Sequence, residues 1–127
     1  MRIPPVTARD HLDDEGRAAF DRIVETRGEI LRPFQTFLHS PAVARSVAEL
    51  GHVVRFRSHL GDRDRELVTV ATGRARACPF IWESHLDAAR RAGLREESIQ
   101  ALVSGGEGLE RRERLLTTFV SELCETG

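Results

Sequence analysis

The apolar residues of this chain recur at three- and four-residue intervals, punctuated by glycine and proline, and that pattern predicts helices from end to end. Ala18, Ala19, Ile23 and Val24, with Phe20 beside them, mark a helix over 13–27 that Gly28 ends. Leu31 to Leu38 is a short apolar piece interrupted by Pro33, read as a turn with one or two helical turns. Ser40-Pro41 is a start signal, because serine can cap orphan amides and proline fits the first helical position. The helix that follows runs to about Arg57, with Val43, Ala44, Val47, Leu50, Val54 and Phe56 on or near its buried side.

Gly61 breaks the pattern, and Asp62 is expected to cap a helix over 63–77. Its Leu67, Val68, Val70, Ala71 and Ala75 leave little polar surface, which marks it as central. Pro79 opens the next helix, Gly93 closes it, and two more follow at about 96–103 and 109–125. No strand pattern and no internal repeat competes with this reading. The fold class is all-α, with about six helices.

At 127 residues and 40% apolar content the chain suits a single domain over 1–127. Nineteen basic residues against twenty acidic ones give a net charge of −1, so no field attracts nucleic acid or an anionic membrane, and neither is expected as a partner. All nineteen basic residues are arginine. A lysine Schiff base, a lysine-linked pyridoxal phosphate and a phosphate-loop lysine are thereby excluded, and Ser104-Gly105-Gly106-Glu107-Gly108 reads as a flexible connection. Met1-Arg2-Ile3-Pro4-Pro5 lacks the apolar segment of a signal peptide, and no run approaches the roughly 18 apolar residues of a membrane span, so a cytoplasmic protein is expected. Cys78 and Cys124 stand far apart, which favours reduced thiols over a disulfide framework.

The chemistry concentrates in twenty residues, from Glu66 to Cys78-Pro79-Phe80-Ile81-Trp82-Glu83-Ser84-His85. Cys78 falls at a helix junction, where unpaired amides and the helix dipole favour a thiolate. At about 100° per residue, Cys78, Ile81, Trp82 and His85 share one stripe, yet seven residues at ~1.5 Å separate the thiol from the imidazole, too far for direct contact. A mediator is required: a substrate, a water, or Glu66 reaching across from the preceding helix. A carboxylate bonded to the imidazole fixes its tautomer, as in a general acid/base. Taken singly, each residue also has a plain structural role, Glu66 near a helix start, His85 and Trp82 in a core.

His52, His59 and His85 lack the short spacing of metal ligands, so no metal site is expected, and no motif calls for a cofactor. Arg74 and Arg76 could hold a substrate carboxylate, or belong to an ordinary solvated face. Cys124 is either a small apolar residue of the last helix or a remote resolving thiol.

The segment from Arg65-Glu66-Leu67 through Cys78, Trp82 and His85 to Ala88-Ala89-Arg90-Arg91-Ala92-Gly93-Leu94 resembles the carboxymuconolactone decarboxylase-like and alkylhydroperoxidase D-like superfamily over roughly residues 34–105, and His39-Ser40-Pro41 is similar to a pattern of its actinobacterial members. The resemblance implies a helical bundle assembled as a homo-oligomer, trimer or hexamer, with its site at a bundle or subunit boundary. Glu66, Cys78 and His85 match the glutamate, first cysteine and final histidine of the hydroperoxidase motif. Its second cysteine, which attacks peroxide, corresponds to Ile81, and its middle histidine to Phe80. Many decarboxylase-like relatives carry Tyr-Glu-Trp where this chain has Phe80-Ile81-Trp82.

Three readings follow. The first is a lyase or decarboxylase in which Glu66 and His85 shuttle protons, Cys78 assists, and Trp82, Ile81, Phe80 and His39 bind a small organic substrate. The second is thiol-dependent peroxide reduction through Cys78, and the third a non-catalytic ligand-binding or assembly module.

Overall fold

The structure, a computed structural model, describes residues 3–126. Met1 and Arg2 of the opening segment read above lie outside them. A 3-10 turn at Arg9–His11 is followed by seven α-helices: α1 Asp14–Arg27, α2 Arg32–Phe37, α3 Pro41–Phe56, α4 Asp62–Ala75, α5 Pro79–Arg91, α6 Glu96–Ser104 and α7 Arg111–Thr126. The described residues contain no strand. No helix among them is long and apolar enough to cross a membrane. The chain divides into two compact units, the first ending at Ser58 and the second beginning at His59.

In the first unit α3 packs on α1 and α2. Asp13 caps α1 by accepting from the Gly16 amide at 2.8 Å, a contact worth about 1 kcal/mol. Ala19 and Ile23 of α1 join Phe34, Leu38, Ala44 and Ala48 in the core. Arg27 ties the layers together: its guanidinium lies 4.6 Å from the Phe34 ring centroid and donates to the Ala48 carbonyl at 2.8 Å.

Two expectations for α3 are corrected. Ser40 makes no side-chain cap, because its backbone (φ −135°, ψ 89°) does not aim the hydroxyl at the first amides; Pro41 alone shapes the start. The buried side is also narrower than the apolar pattern suggests. Ala44 and Ala48 are buried, whereas Val43, Leu50, Val54 and Phe56 are 46–64% exposed.

In the second unit α4 lies against α5, α6 and α7, the central place its apolar run calls for. Asp62 is the first helical residue and pairs with Arg65 at 2.8 Å, leaving Gly61 at the cap position in place of the expected carboxylate cap. Leu67 and Val70 of α4 meet Ala89 of α5, Leu94, and Ile99 of α6, with Trp82, Leu86, Leu102 and Leu116 packed around them. Burying one such leucine contributes about 1.5–3 kcal/mol.

A second carboxylate is sealed into this unit. Glu113 is 1% exposed; it accepts from the Ser98 hydroxyl and the Glu110 amide at 2.9 Å, from Arg63 at 2.6 Å and from Arg95 at 3.3 Å. The Glu110 contact is one half of a capping box, the third residue of α7 reaching back to the amide that precedes the helix.

Candidate functional site

The α4–α5 corner is built by the end of α4. The Cys78 amide donates to the Gly73 carbonyl at 2.8 Å and the Ala77 amide to the Arg74 carbonyl at 3.1 Å, the paired bonds of a Schellman ending. Such an ending needs a left-handed residue between helix and exit, normally glycine. Here it is Ala77, at φ +46°. Cys78 then serves as the residue before α5, with Pro79 in the first turn and the Cys78 carbonyl accepting from Trp82 at 3.2 Å. The thiol is thus fixed at the corner, half-buried and free.

Gly73 lets the two helices close. A Cβ at that position would stand 2.9 Å from the Trp82 backbone nitrogen and 3.0 Å from Ile81 Cγ2, closer than real side chains allow. Glu66 lies seven residues before Gly73, on the same face of α4, and His85 lies one turn beyond Ile81 and Trp82 on α5. Close approach at the glycine sets these two faces against each other, within reach of the long Glu66 side chain.

They meet. His85 Nδ1 is 2.9 Å from Glu66 Oε2, and the Glu66 residue is only 4% exposed. A carboxylate oxygen can only accept, so Nδ1 carries the shared proton. Glu66 Oε1 has Arg65 Nη2 at 3.6 Å, and Arg65 is itself tied to Asp62 at 2.8 Å. The other imidazole nitrogen, Nε2, has no hydrogen-bond partner among the described residues and is not among the buried atoms lacking one. With the His85 side chain 22% exposed, Nε2 is the nitrogen that solvent or a ligand can reach.

The remaining candidates separate. Ile81 packs toward Gly73, Trp82 is half-buried against the core of the second unit, and Phe80 is 46% exposed. No hydrogen bond joins Cys78 to His85 among the described residues, in keeping with their separation along α5. His39 belongs to the first unit and is exposed; its Nε2 donates to the Pro4 carbonyl at 2.7 Å. Arg76 is engaged by the Cys124 carbonyl of α7 at 3.0 Å, and Cys124 is a free, half-buried thiol. No group of three or more His, Cys, Asp or Glu among the described residues is placed to hold a metal ion. A cavity of about 630 Å³ between α6 and α7 is lined by none of the candidate residues.

Arg65, Gly73 and Ala77 were not singled out as part of the site from sequence. A glycine inside an otherwise helical run, one heptad from Glu66, was the available sign of close packing. Nothing in the sequence marks Ala77 as left-handed.

An all-helical bundle with a glutamate and a histidine hydrogen-bonded across one helical hairpin is the class that fold and geometry define. The carboxymuconolactone decarboxylase family model matches residues 41–109, from the start of α3 to the residue after the α6–α7 glycines, and the chain belongs to that family. No curated protein and no solved structure matches it.

Proposed function

We propose that the protein is a decarboxylase- or lyase-type enzyme in which His85, oriented by Glu66, performs general acid/base chemistry on a small organic substrate. The observation that carries this reading is the buried 2.9 Å bond from Nδ1 to Glu66, which leaves Nε2 as a lone-pair base facing outward. In the forward step Nε2 takes a proton from the carbon beside a carbonyl, and the electron pair moves into an enolate while Glu66 provides the counter-charge for the imidazolium. When the substrate loses carbon dioxide instead, Nε2 first takes the proton of the substrate's carboxylic acid, the electron pair of the breaking C–C bond forms the enolate, and the imidazolium returns that same proton to carbon. Cys78, fixed at the N-terminal end of α5, assists as a hydrogen-bond donor, and Trp82, Ile81 and Phe80 offer the apolar side of the substrate site.

The reading carries with it a cytoplasmic homo-oligomer, trimer or hexamer, in which a neighbouring subunit completes the wall around Nε2. No cofactor or metal enters the mechanism as written. A second reading, peroxide reduction through Cys78, has one observation in its favour: the thiol is free and half-buried at a helix N-terminus. Ile81, in place of a second thiol on the same stripe, speaks against a dithiol cycle.

Incubation with small unsaturated lactones bearing a carboxylate, in deuterium oxide, tests the proposal through carbon-bound deuterium and carbon dioxide release. Turnover retained by Cys78→Ser and lost by His85→Ala supports proton transfer. Turnover lost by Cys78→Ser alone, with sulfenate at Cys78 after stoichiometric peroxide, moves the activity to the thiol. No exchange on any substrate and no sulfenate leaves the binding or assembly module standing.

A further inference from the structure

α7 carries two apolar faces. One is used within the second unit, where Val120 is buried and Leu116 packs against the Leu67 and Ile99 core. The other is bare: Leu115, Phe119 and Leu123, spaced at four residues and so aligned on one stripe, are 69%, 60% and 57% exposed.

Charge along the same helix is sorted by end. Its first turn carries the exposed Arg111, Arg112 and Arg114 around the buried, already paired Glu113, and Glu122 and Glu125 stand near its last turn. For the exposed charges of a single helix this order is unfavourable, because outside the Glu113 capping contact the positive end of the dipole meets cations and the negative end meets carboxylates. Arg112 pairs with Asp64 at 2.7 Å, and Arg114 donates to the Leu109 carbonyl at 3.0 Å. The side chains of Arg111, Glu122 and Glu125 have no ion-pair or hydrogen-bond partner among the described residues.

We infer that α7 pairs with α7 of a second copy of this chain, antiparallel, about a two-fold axis at Phe119. A two-fold contact presents the same patch from both copies. Phe119 then meets the partner's Phe119, and Leu115 meets the partner's Leu123, since both lie four residues from the axis. Arg111 lies eight residues before Phe119 and Glu125 six after it, so antiparallel pairing leaves them about 3 Å out of level, two residues at ~1.5 Å each, on the same flank of the stripe. The basic end of each helix also falls beside the partner's negative helix end, which removes the mismatch with the dipole. A parallel partner would stack like charges, and a peptide of one sign would match one end only. Self-complementarity is the property that selects a second copy. The pairing stands apart from the acid/base reading.

The test uses the full chain with Cys78→Ser and Cys124→Ser, and adds Phe119→Cys or Leu115→Cys under mild oxidation. Pairing at Phe119 predicts a covalent dimer at least roughly tenfold faster for Phe119→Cys, because two copies of position 115 lie about 12 Å apart along the axis. In sedimentation equilibrium, Arg111→Glu or Glu125→Arg alone weakens self-association by roughly threefold or more, and the two together restore it. Equal cross-linking at 115 and 119, or single reversals without effect, overturns the inference. So does a monomer at every concentration, including one whose thiol at 119 resists alkylation, which would place an intramolecular cover over the stripe.

Discussion

Glu66 and Glu113 are both buried carboxylates of the second unit, 4% and 1% exposed, and they are held in opposite ways. Glu113 is saturated by a hydroxyl, a backbone amide and two arginines, all fixed parts of the same packing. Glu66 has one arginine at 3.6 Å and spends its short contact on an imidazole that reaches solvent on its far side. The first arrangement has no group left to respond to a ligand. The second couples a buried charge to an exposed nitrogen, as a proton-transfer site requires.

The comparison breaks first at Glu113. Glu113→Ala leaves Arg63, Arg95 and Ser98 facing an empty space, and we expect a loss of about 3–5 kcal/mol in urea denaturation. The result to watch is the site: a destabilised but folded Glu113→Gln protein should keep its His85–Glu66 bond.

Acid sharpens the same contrast. Burial pushes the Glu113 carboxyl toward its protonated form, but the Glu110 amide, the Ser98 hydroxyl, the Arg63 charge and Arg95 outweigh it and hold the group below the ordinary carboxylate range. A lowered folded-state pKa contributes stability that is fully present above the unfolded value of about 4.3 and is lost as pH falls through the lower folded value. Wild-type stability should therefore drop more steeply below about pH 4 than that of Glu113→Gln. Parallel curves would show that the cluster makes no net contribution.

Gly73→Ala acts on the other carboxylate without touching it. The added methyl meets Trp82 backbone, which cannot rotate away, so α5 must move; overpacking of this kind costs about 1–3 kcal/mol. Because the displacement falls between Glu66 and His85, loss of the imidazole–carboxylate bond should exceed the loss of stability. The smallest expected effect is at Ala77. Replacing it by glycine relieves the left-handed backbone and should raise stability by up to about 1 kcal/mol in thermal unfolding, with the position of Cys78 unchanged.

Much of this was legible before any coordinates. Gly28, Pro41, Gly61, Pro79 and Gly93 fall at or beside helix ends because each dictates local backbone geometry. Glu66 and His85 could be considered together on paper because they lie on helices joined at Cys78-Pro79 and both match the family motif. What stayed hidden depends on neighbours. Val43, Leu50 and Val54 form one apolar stripe of α3, roughly 100° round the helix from the buried Ala44 and Ala48, and periodicity says which residues face together but not what covers them. Glu113 reads as one more charge on an amphipathic helix until Ser98 and Arg95, from α6 and the turn before it, close around it. Trp82 and Ile81 sit on the stripe the sequence marks, yet part of their surface is spent on α4 and the core.

The most direct measurement is the nitrogen-15 spectrum of the His85 side chain at neutral pH. The account predicts a ring whose Nδ1 carries a slowly exchanging proton that loses its protection in Glu66→Ala. A ring protonated at Nε2 alone, unaffected by Glu66→Ala, would contradict it.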